Sequence, residues 1–280
     1  MKGEIEIHQT KFDTEEELQQ LVDLQNEVYC ERNLVFTVDS FKRWYIENPF
    51  GRVLSFNAFD GDKMVAHYAC IPTKLVFGDS VVDGIHSMAT VTHPDYRGKG
   101  LFKTLAKLTY DYAKEQGYKF VIGVANANSF PGFIKYFDFK FISQLDVKMG
   151  WGTKIYPKRD DMIRKYWDKD AFDWRLNCCR ANYSQHEDCL LGQYNSFVQT
   201  FMGSYSESFL KKTNAQDNHW GFRPKLYVGL GAKFNSLYLT VPKFIKRSPF
   251  NLIFLDLTEG RLPQVTKDNI FFQLFDFDVA

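Results

Sequence analysis

Residues 92–101 read Thr92-His93-Pro94-Asp95-Tyr96-Arg97-Gly98-Lys99-Gly100-Leu101, a turn with two glycines between an apolar strand and an amphipathic helix. Glycine lets backbone N–H groups come close to a bound group, and the N-terminus of a helix attracts anions. The side chains of Arg97 and Lys99 add positive charge to this turn. The stretch therefore predicts a phosphate-binding loop, with a simple strand-to-helix reversal as the alternative.

The chain on both sides of this loop predicts an α+β fold over residues 1–150. The predicted order is strand, two helices, three strands, helix, strand, short helix and strand. The three consecutive strands are separated by the turns Asp60-Gly61-Asp62 and Gly78-Asp79, which favours an antiparallel meander. The third of these strands ends at the loop.

The loop resembles the acyl-CoA-binding signature of the GNAT superfamily, in which a V-x-P-x-Y-R-G-x-G string closes the fourth strand and opens a helix. The segment 126–129, Asn-Ala-Asn-Ser, followed by Phe137-Asp138-Phe139, is similar to the family's later N-to-GF segment. The resemblance covers about half of the chain. It implies a GNAT-like mixed, largely antiparallel sheet with flanking helices, and acetyl-CoA or another short-chain acyl-CoA as co-substrate.

The resemblance also implies which residues bind CoA. In that family the loop amides hold the pyrophosphate, and the end of the preceding strand pairs with the pantetheine arm. The positions that match are Val91, Thr92, Arg97, Gly98, Lys99, Gly100, Leu101 and Phe102, with Asn126 or Asn128 facing the pantetheine arm. Phe102 departs from the family pattern, which has a small residue at this place.

Two residues are candidates for catalysis. His86 lies on the strand before the loop, and strict alternation places it on the same face as Met88, Thr90 and Thr92. With an ordinary pKa near about 6.5, a histidine can collect the proton of an ammonium group; a partly buried structural histidine is the alternative. Tyr136 resembles the family's general acid, although it is displaced by two positions. His93 is interpreted as a solvated or CoA-proximal residue.

Residues 151–280 predict a second, acceptor-binding half, either an α/β extension or a second, degenerate GNAT-like domain. The strings 172–176 and 275–279 resemble those of bacterial GNAT-type sugar N-acyltransferases of polysaccharide synthesis. This looser resemblance implies a nucleotide-linked amino sugar as the acceptor. Asp276 and Asp278 either bind the acceptor ammonium or form the solvated face of a terminal strand, and we favour the solvated face.

Composition narrows the classes of partner. Lys and Arg number 35 against 34 Asp and Glu, so the chain lacks the positive field that nucleic acids or anionic membranes require. Five scattered cysteines without CxxC spacing argue against a disulfide framework and a zinc site. No signal peptide or membrane span is visible, and the simplest expectation is a cytoplasmic protein.

Other functions stay open at this stage. Acylation of an aminoglycoside, a polyamine or a peptide amine would predict an acidic cleft, which the near-neutral charge does not favour. A non-catalytic acyl-CoA-binding protein is also possible, because the binding loop has stronger support than any catalytic residue. Covalent catalysis by Cys178-Cys179 lacks a visible histidine or aspartate partner.

Overall fold

The computed structural model describes residues 4–29, 36–178, 182–193, 197–217, 223–242 and 249–277, and its first half has the predicted order of elements. The helices of this half are α1 (Glu15–Tyr29), α2 (Val38–Tyr45), α3 (Leu101–Glu115) and α4 (Phe130–Tyr136). Its strands are β1 (Ile5–Gln9), β2 (Leu54–Asp60), β3 (Lys63–Phe77), β4 (Ser80–Thr92), β5 (Phe120–Ala125), β6 (Lys140–Gln144) and β7 (Asp146–Gly150).

The predicted meander is confirmed. β2, β3 and β4 pair antiparallel in sequence order, with turns at Gly61 and Gly78, whose φ angles of 58° and 57° lie in the left-handed region. β5 then pairs parallel to β4 after the α3 crossover. The order and the pairing together give the α+β, largely antiparallel sheet that the sequence predicts.

The second half adds strands and two short helices. The helices are α5 (Lys169–Cys178) and α6 (Glu207–Leu210). The strands are β8 (Ile155–Pro157), β9 (Ile163–Lys165), β10 (Asn182–His186), β11 (Cys189–Gln193), β12 (Gln199–Ser204), β13 (Gln216–Asp217), β14 (Lys225–Leu230), β15 (Ala232–Phe234), β16 (Tyr238–Thr240), β17 (Asn251–Asp256) and β18 (Ile270–Gln273).

The C-terminal alternation does not form the predicted strand. β18 ends at Gln273, and Leu274–Asp276 form a 3-10 helix in which the Asp276 carboxylate accepts a hydrogen bond from the Gln273 N–H at 2.8 Å. Asp276 is 2% exposed, so its interpretation as a solvated residue is wrong. Asp278 lies outside the described residues.

The two halves share one sheet. β17 lies between β5 and β6 and pairs antiparallel with both, from Asn251 opposite Ala125 to Asp256 opposite Phe120. β9 pairs with the edge of β3 and runs parallel to β18. The division at residue 150 stays a prediction, and strands from residues 151–280 complete the sheet of residues 1–150 on two sides.

The sheet carries helices on both faces. α3 and α4 cover one face with a core that includes Leu105 and Phe133. On the opposite face, α1 and α2 form a core with Ile71 and Val91, and α5 packs beside α2. We call these the α3 face and the α5 face. Among the described residues, no helix is long and apolar enough to cross a membrane.

A buried histidine ties α2 to the meander. Nε2 of His67 lies 2.8 Å from the Tyr45 hydroxyl, and Nδ1 lies 2.5 Å from Oδ1 of Asn57. His67 is 1% exposed, and burial lowers its pKa to about 3. The imidazole is therefore neutral in the folded protein near neutral pH.

This histidine makes stability depend on pH. Since an unfolded histidine titrates near about 6.5, the unfolded chain binds the extra proton first, and stability is complete above that pH and falls as the pH drops towards 3. We expect His67→Gln to flatten this fall by up to about 1.4 kcal/mol per pH unit. Urea unfolding between pH 4 and 7 measures it, with the exposed His8→Gln as control. Equal slopes in all three proteins would contradict the assignment.

A chain cut after Gly150 tests the shared sheet. It loses β17 and β9, which leaves the paired edges of β5 and β3 open and exposes the apolar residues that β17 covers. We expect the shortened chain to show no cooperative thermal unfolding, in contrast to the full chain. A cooperative transition by circular dichroism and calorimetry would instead establish residues 1–150 as an independent domain.

Candidate functional site

The loop between β4 and α3 has the geometry of an anion site. Gly98 and Gly100 have φ angles of 78° and 76°, and Gly100 is the N-cap of α3. No side chain caps this helix, and its first turn contains no acidic residue. The N–H groups of the first turn therefore have no capping side chain among the described residues, and they lie at the positive end of the helix dipole. A Cβ built on either glycine would meet open space, so the glycines are required by backbone conformation.

Basic side chains surround the exposed loop. Arg97 donates through Nε to the Thr92 carbonyl at 3.3 Å, and Nζ of Lys99 lies 4.9 Å from the centre of the Tyr96 ring. The Tyr96 hydroxyl donates to the Asp60 carboxylate at 2.5 Å. These contacts hold the loop against the β2–β3 turn and leave its amides accessible.

Phe102 does not block the loop. Its ring packs on the α3 face against Phe133 and Phe137, with ring centres 5.3 and 5.6 Å away. Gly132 makes room for it, since a Cβ there would lie 2.9 Å from the Phe102 ring. The bulky side chain therefore points into the core, and the backbone N–H of this residue stays available at the helix terminus.

His93 is buried and structural, so its interpretation as a solvated residue is wrong, while its proximity to CoA stays a prediction. Its Nδ1 accepts from the Asp95 N–H at 3.2 Å, and Nε2 donates to Oε1 of Glu27 at 2.7 Å. Lys63 and His93 both bind the Glu27 carboxylate and lower its pKa. The loop is thereby fixed to α1.

β4 and β5 separate just before the loop. Their parallel ladder consists of Ile85 with Val121, His86 with Ile122 and Ser87 with Gly123, and it ends there. From residue 88 to 92, β4 keeps β3 on one side only in the described sheet, while the end of β5 pairs with β17. The edge of β4 over residues 88–92 that lies away from β3 therefore borders a V-shaped opening, which an extended ligand can enter as an added strand.

A bulge in β4 changes the predicted facing of His86. Tyr68 is opposite Thr90 and Cys70 is opposite Ser87, so residues 88 and 89 together face the single residue Ala69. The extra residue reverses the alternation. His86 lies on the α5 face with Ile71, whereas Thr90 and Thr92 lie on the α3 face. The predicted common face of His86, Thr90 and Thr92 is therefore wrong.

His86 lies at the base of the opening in a cationic environment. It is 4% exposed, and burial lowers its pKa well below 6.5, with smaller contributions from the positive charges of Lys165 and Arg175. The imidazole is neutral near pH 7 and is a weak base. Its role as the catalytic base stays a prediction.

The remaining predicted site residues lie around α4. Oδ1 of Asn126 accepts from the N–H groups of Asn128 and Ser129 at 2.9 and 3.0 Å, which organises the turn into α4. Asn128 is exposed beside it. Tyr136 is 44% exposed, and its ring lies 5.2 Å from Nζ of Lys103. The roles of these three residues stay predictions.

A cluster of hydroxyl groups that the sequence did not predict lies at the base of the opening. The Tyr68 hydroxyl contacts Oγ of Ser87 at 2.7 Å and also contacts the hydroxyl of Tyr110, and the Cys70 thiol donates to it at 3.8 Å. Burial raises the pKa of Cys70 to about 12, so this thiol stays protonated and unreactive. Tyr110 comes from α3, and no spacing in the sequence indicates that it meets Ser87.

The second half places charged residues on the α5 face below His86. Arg175 is 2% exposed and donates to the carbonyls of Phe275 and Phe277 at 3.2 and 2.9 Å. The Trp167 indole donates to Oδ1 of Asp276 at 3.0 Å. Cys178 lies in α5, and Cys179 lies outside the described residues. No group of three or more potential metal ligands occurs among the residues that the structure describes.

Comparison with known proteins agrees with this geometry. Residues 9–142 match the family model described as an acetyltransferase (GNAT) domain. No curated protein sequence matches the chain.

Solved structures show the same fold over more of the chain. A probable N-acyltransferase from Enterococcus faecalis V583 has a TM-score of 0.61 and 9% identity, with 91% of this chain and 73% of that chain covered. GCN5-related N-acetyltransferases from Anabaena variabilis and Kribbella flavida have TM-scores of 0.58 and 0.57, with 13% and 10% identity, and also cover 91% of this chain and 74% and 73% of theirs. The GNAT fold and its C-terminal region are thus shared, and the domain match supports an acyl-CoA-dependent N-acyltransferase.

The left-handed glycine at the N-cap of α3 provides a test of the loop. Gly100→Ala forces an L-residue to a φ of 76°, which costs about 1–2 kcal/mol and displaces the amides of the first turn. We expect the Kd for CoA, measured by calorimetry, to rise at least about 10-fold. Gly78→Ala is the matched control, because its φ of 57° carries the same strain in open space away from the loop. Equal CoA affinities of the two variants would exclude this loop as the pyrophosphate site.

Proposed function

We propose that this chain, whose residues 9–142 match the acetyltransferase (GNAT) domain, transfers an acyl group from acyl-CoA to the primary amine of a small molecule. The observation that carries the proposal is the coincidence of two features at one end of β4. An anion-accepting helix terminus and an opening between parallel strands lie next to each other. Together they suit a ligand with a pyrophosphate and an extended, amide-containing arm.

The proposed roles follow the order of groups in that ligand. The N–H groups of residues 98–102 hold the pyrophosphate with Arg97 and Lys99, and the backbone of Val91 and Thr92 pairs with the pantetheine arm. Asn126 and Asn128 border the arm on the other side of the opening. This arrangement places the thioester near the base of the opening, where β4 and β5 are still paired.

The chemistry requires the acceptor nitrogen to be neutral. The nitrogen lone pair attacks the thioester carbonyl, the carbon–sulfur bond breaks, and the ammonium proton goes to a base. We propose that His86 is the base that accepts this proton, because its imidazole is neutral and lies at the base of the opening. The departing thiolate takes up a proton, and Tyr136 is the candidate donor from α4. A thiolate is a fair leaving group, so orientation of the reactants supplies much of the rate.

A nucleotide-linked amino sugar is the acceptor that we favour, in the cytoplasm of a cell that makes polysaccharide. Support comes from the strings 172–176 and 275–279, whose resemblance to sugar N-acyltransferases motivates the assignment. These strings meet in space, because Arg175 donates to the carbonyls of Phe275 and Phe277. Aminoglycosides, polyamines and peptide amines are the alternative acceptors, and a non-catalytic acyl-CoA-binding protein is the alternative function.

An assay of acceptor-dependent CoA release tests the function. The protein is incubated with acetyl-CoA or longer acyl-CoAs and a panel of amines that includes nucleotide-linked amino sugars, and the acceptor is analysed by mass spectrometry. We expect release of CoA only with an amine that gains the acyl mass. Tight CoA binding without any acylated acceptor would support the binding protein instead.

His86→Phe tests the base within the same assay. We expect acceptor-dependent kcat to fall at least about 100-fold, because general base catalysis contributes about that much, while the Kd for CoA stays within about 2-fold. Since its pKa is well below 6.5, the base form persists in mildly acidic solution, and the acid limb of the kcat profile should lie below pH 6.5 in the unmodified protein. Unchanged kcat in His86→Phe would refute this role.

A further inference from the structure

The α5 face carries a half-buried ammonium group close to His86. Lys165 ends β9, and its backbone is the register partner of Leu75 on β3. Its Nζ donates to the Asp276 carbonyl at 3.0 Å and lies 4.6 Å from the centre of the Trp167 ring. Among the described residues, no carboxylate lies within 4.0 Å of this ammonium. An ammonium has three N–H donors, so Lys165 has donors beyond the one that binds the Asp276 carbonyl.

A hydroxyl group without a partner lies on the same face. Thr73 is 2% exposed, and its Oγ1 makes no hydrogen bond to any residue that the structure describes. Thr73 and Leu75 face the same side of β3, so Thr73 lies between the register positions of Lys165 and His86. A buried hydroxyl that is unpaired costs about 1–3 kcal/mol, which indicates that a polar group is missing from its surroundings.

The charged groups described near Lys165 already have hydrogen-bond partners, and they include more cations than anions. Both oxygens of the Asp276 carboxylate accept hydrogen bonds, from the Trp167 indole at 3.0 Å and from the Gln273 N–H at 2.8 Å. Arg175 donates to two carbonyls, and its guanidinium lies 5.0 Å from the centres of the Trp44 and Phe275 rings. Among the described residues, Lys165 and Arg175 thus face the single carboxylate of Asp276, and the spare donors of Lys165 and Thr73 suit an oxygen-rich anion.

We propose that Lys165 and Thr73 bind an oxyanion of the acyl acceptor, a phosphate or a carboxylate, while the acceptor amine lies towards His86. This inference rests on the proposed function and specifies the acceptor as an amine that also carries a negative group. A sugar phosphate, a nucleotide-linked sugar and a carboxylate-bearing amino sugar share this chemistry. Polyamines and aminoglycosides, which are polycations, would be repelled by the same cations.

The burial of Lys165 supports this assignment, because a bound anion would change the pKa of its ammonium group. The pKa of Lys165 is lowered to about 7, chiefly because burial disfavours the charged form, while the Asp276 carboxylate opposes the shift. A bound oxyanion favours the charged form and raises this pKa.

Kinetic comparison of paired amines tests the proposal. Glucosamine, which carries no oxyanion, is compared with three amines that do. Glucosamine 6-phosphate carries a phosphate, UDP-glucosamine a diphosphate and muramic acid a carboxylate. For the oxyanion-bearing amines, we expect Lys165→Met to raise the acceptor KM at least about 10-fold and to leave the acyl-CoA KM within about 2-fold. Lys165→Arg should restore most of the affinity.

Two further variants separate recognition from folding. Arg164→Met is the matched control, since Arg164 is the exposed neighbour on β9 and faces the other side of the strand. Thr73→Val removes only the unpartnered hydroxyl, so we expect an unchanged or higher melting temperature together with a several-fold higher acceptor KM. A lower melting temperature with unchanged KM would assign Thr73 a structural role and overturn its part in the proposal.

A binding measurement makes the result independent of turnover. Lysines are labelled with ¹³C during expression, which leaves the ammonium groups unchanged, and the Lys165 side-chain resonance is identified by its loss in Lys165→Met. We expect inorganic phosphate or acetate to shift this resonance and to raise its titration midpoint, and the more effective anion identifies the oxyanion class. If no amine is acylated but the resonance responds, the proposed function fails and the oxyanion site stands. If amines are acylated with KM values that Lys165→Met leaves unchanged, and the resonance does not respond, the oxyanion site is refuted and the function stands.

Discussion

The bulge at residues 88 and 89 of β4 is the constraint on which the site depends. It adds one residue against Ala69 and so ends the regular alternation next to the last rung that joins β4 to β5. Beyond that rung the two parallel strands separate, and in the described sheet β4 keeps a strand partner on one side only, which leaves room for an extended ligand. Ser87 and His86, just before the bulge, lie on opposite faces by ordinary alternation, so each face of the opening receives a different polar group.

The second half of the chain builds the α5 face below that opening. β9 extends the sheet beside β3 and brings Lys165 opposite Leu75, two residues along β3 from Thr73, while α5 and the 3-10 helix at residues 274–276 supply Arg175 and Asp276. Buried charges are costly unless each has partners, and here backbone carbonyls, an indole and aromatic rings provide most of them. Residues far apart in the chain are thus fixed in one cluster adjacent to His86.

The loop, the order of elements in the first half and the meander could be predicted, because each rests on local signals such as glycine turns and apolar periodicity. The face of the sheet on which His86 lies could not be predicted, because the bulge has no local sequence signature here. His93 and Asp276 were misjudged because their burial depends on partners 66 residues away at Glu27 and 109 residues away at Trp167. The position of Lys165 near Thr73 on one face, and the Tyr68 cluster on the other, likewise depend on contacts between residues far apart in the chain.

The position of β17 has a consequence for how the chain is made. Residues 120–125 emerge from the ribosome well before residues 251–256, yet the finished sheet holds β17 between β5 and β6. Because synthesis proceeds from the N-terminus, β5 and β6 are made before β17, the strand that lies between them. More than a hundred residues separate β17 from either strand in the sequence. During that interval an apolar strand edge is open, and an open edge of this kind can pair with other chains.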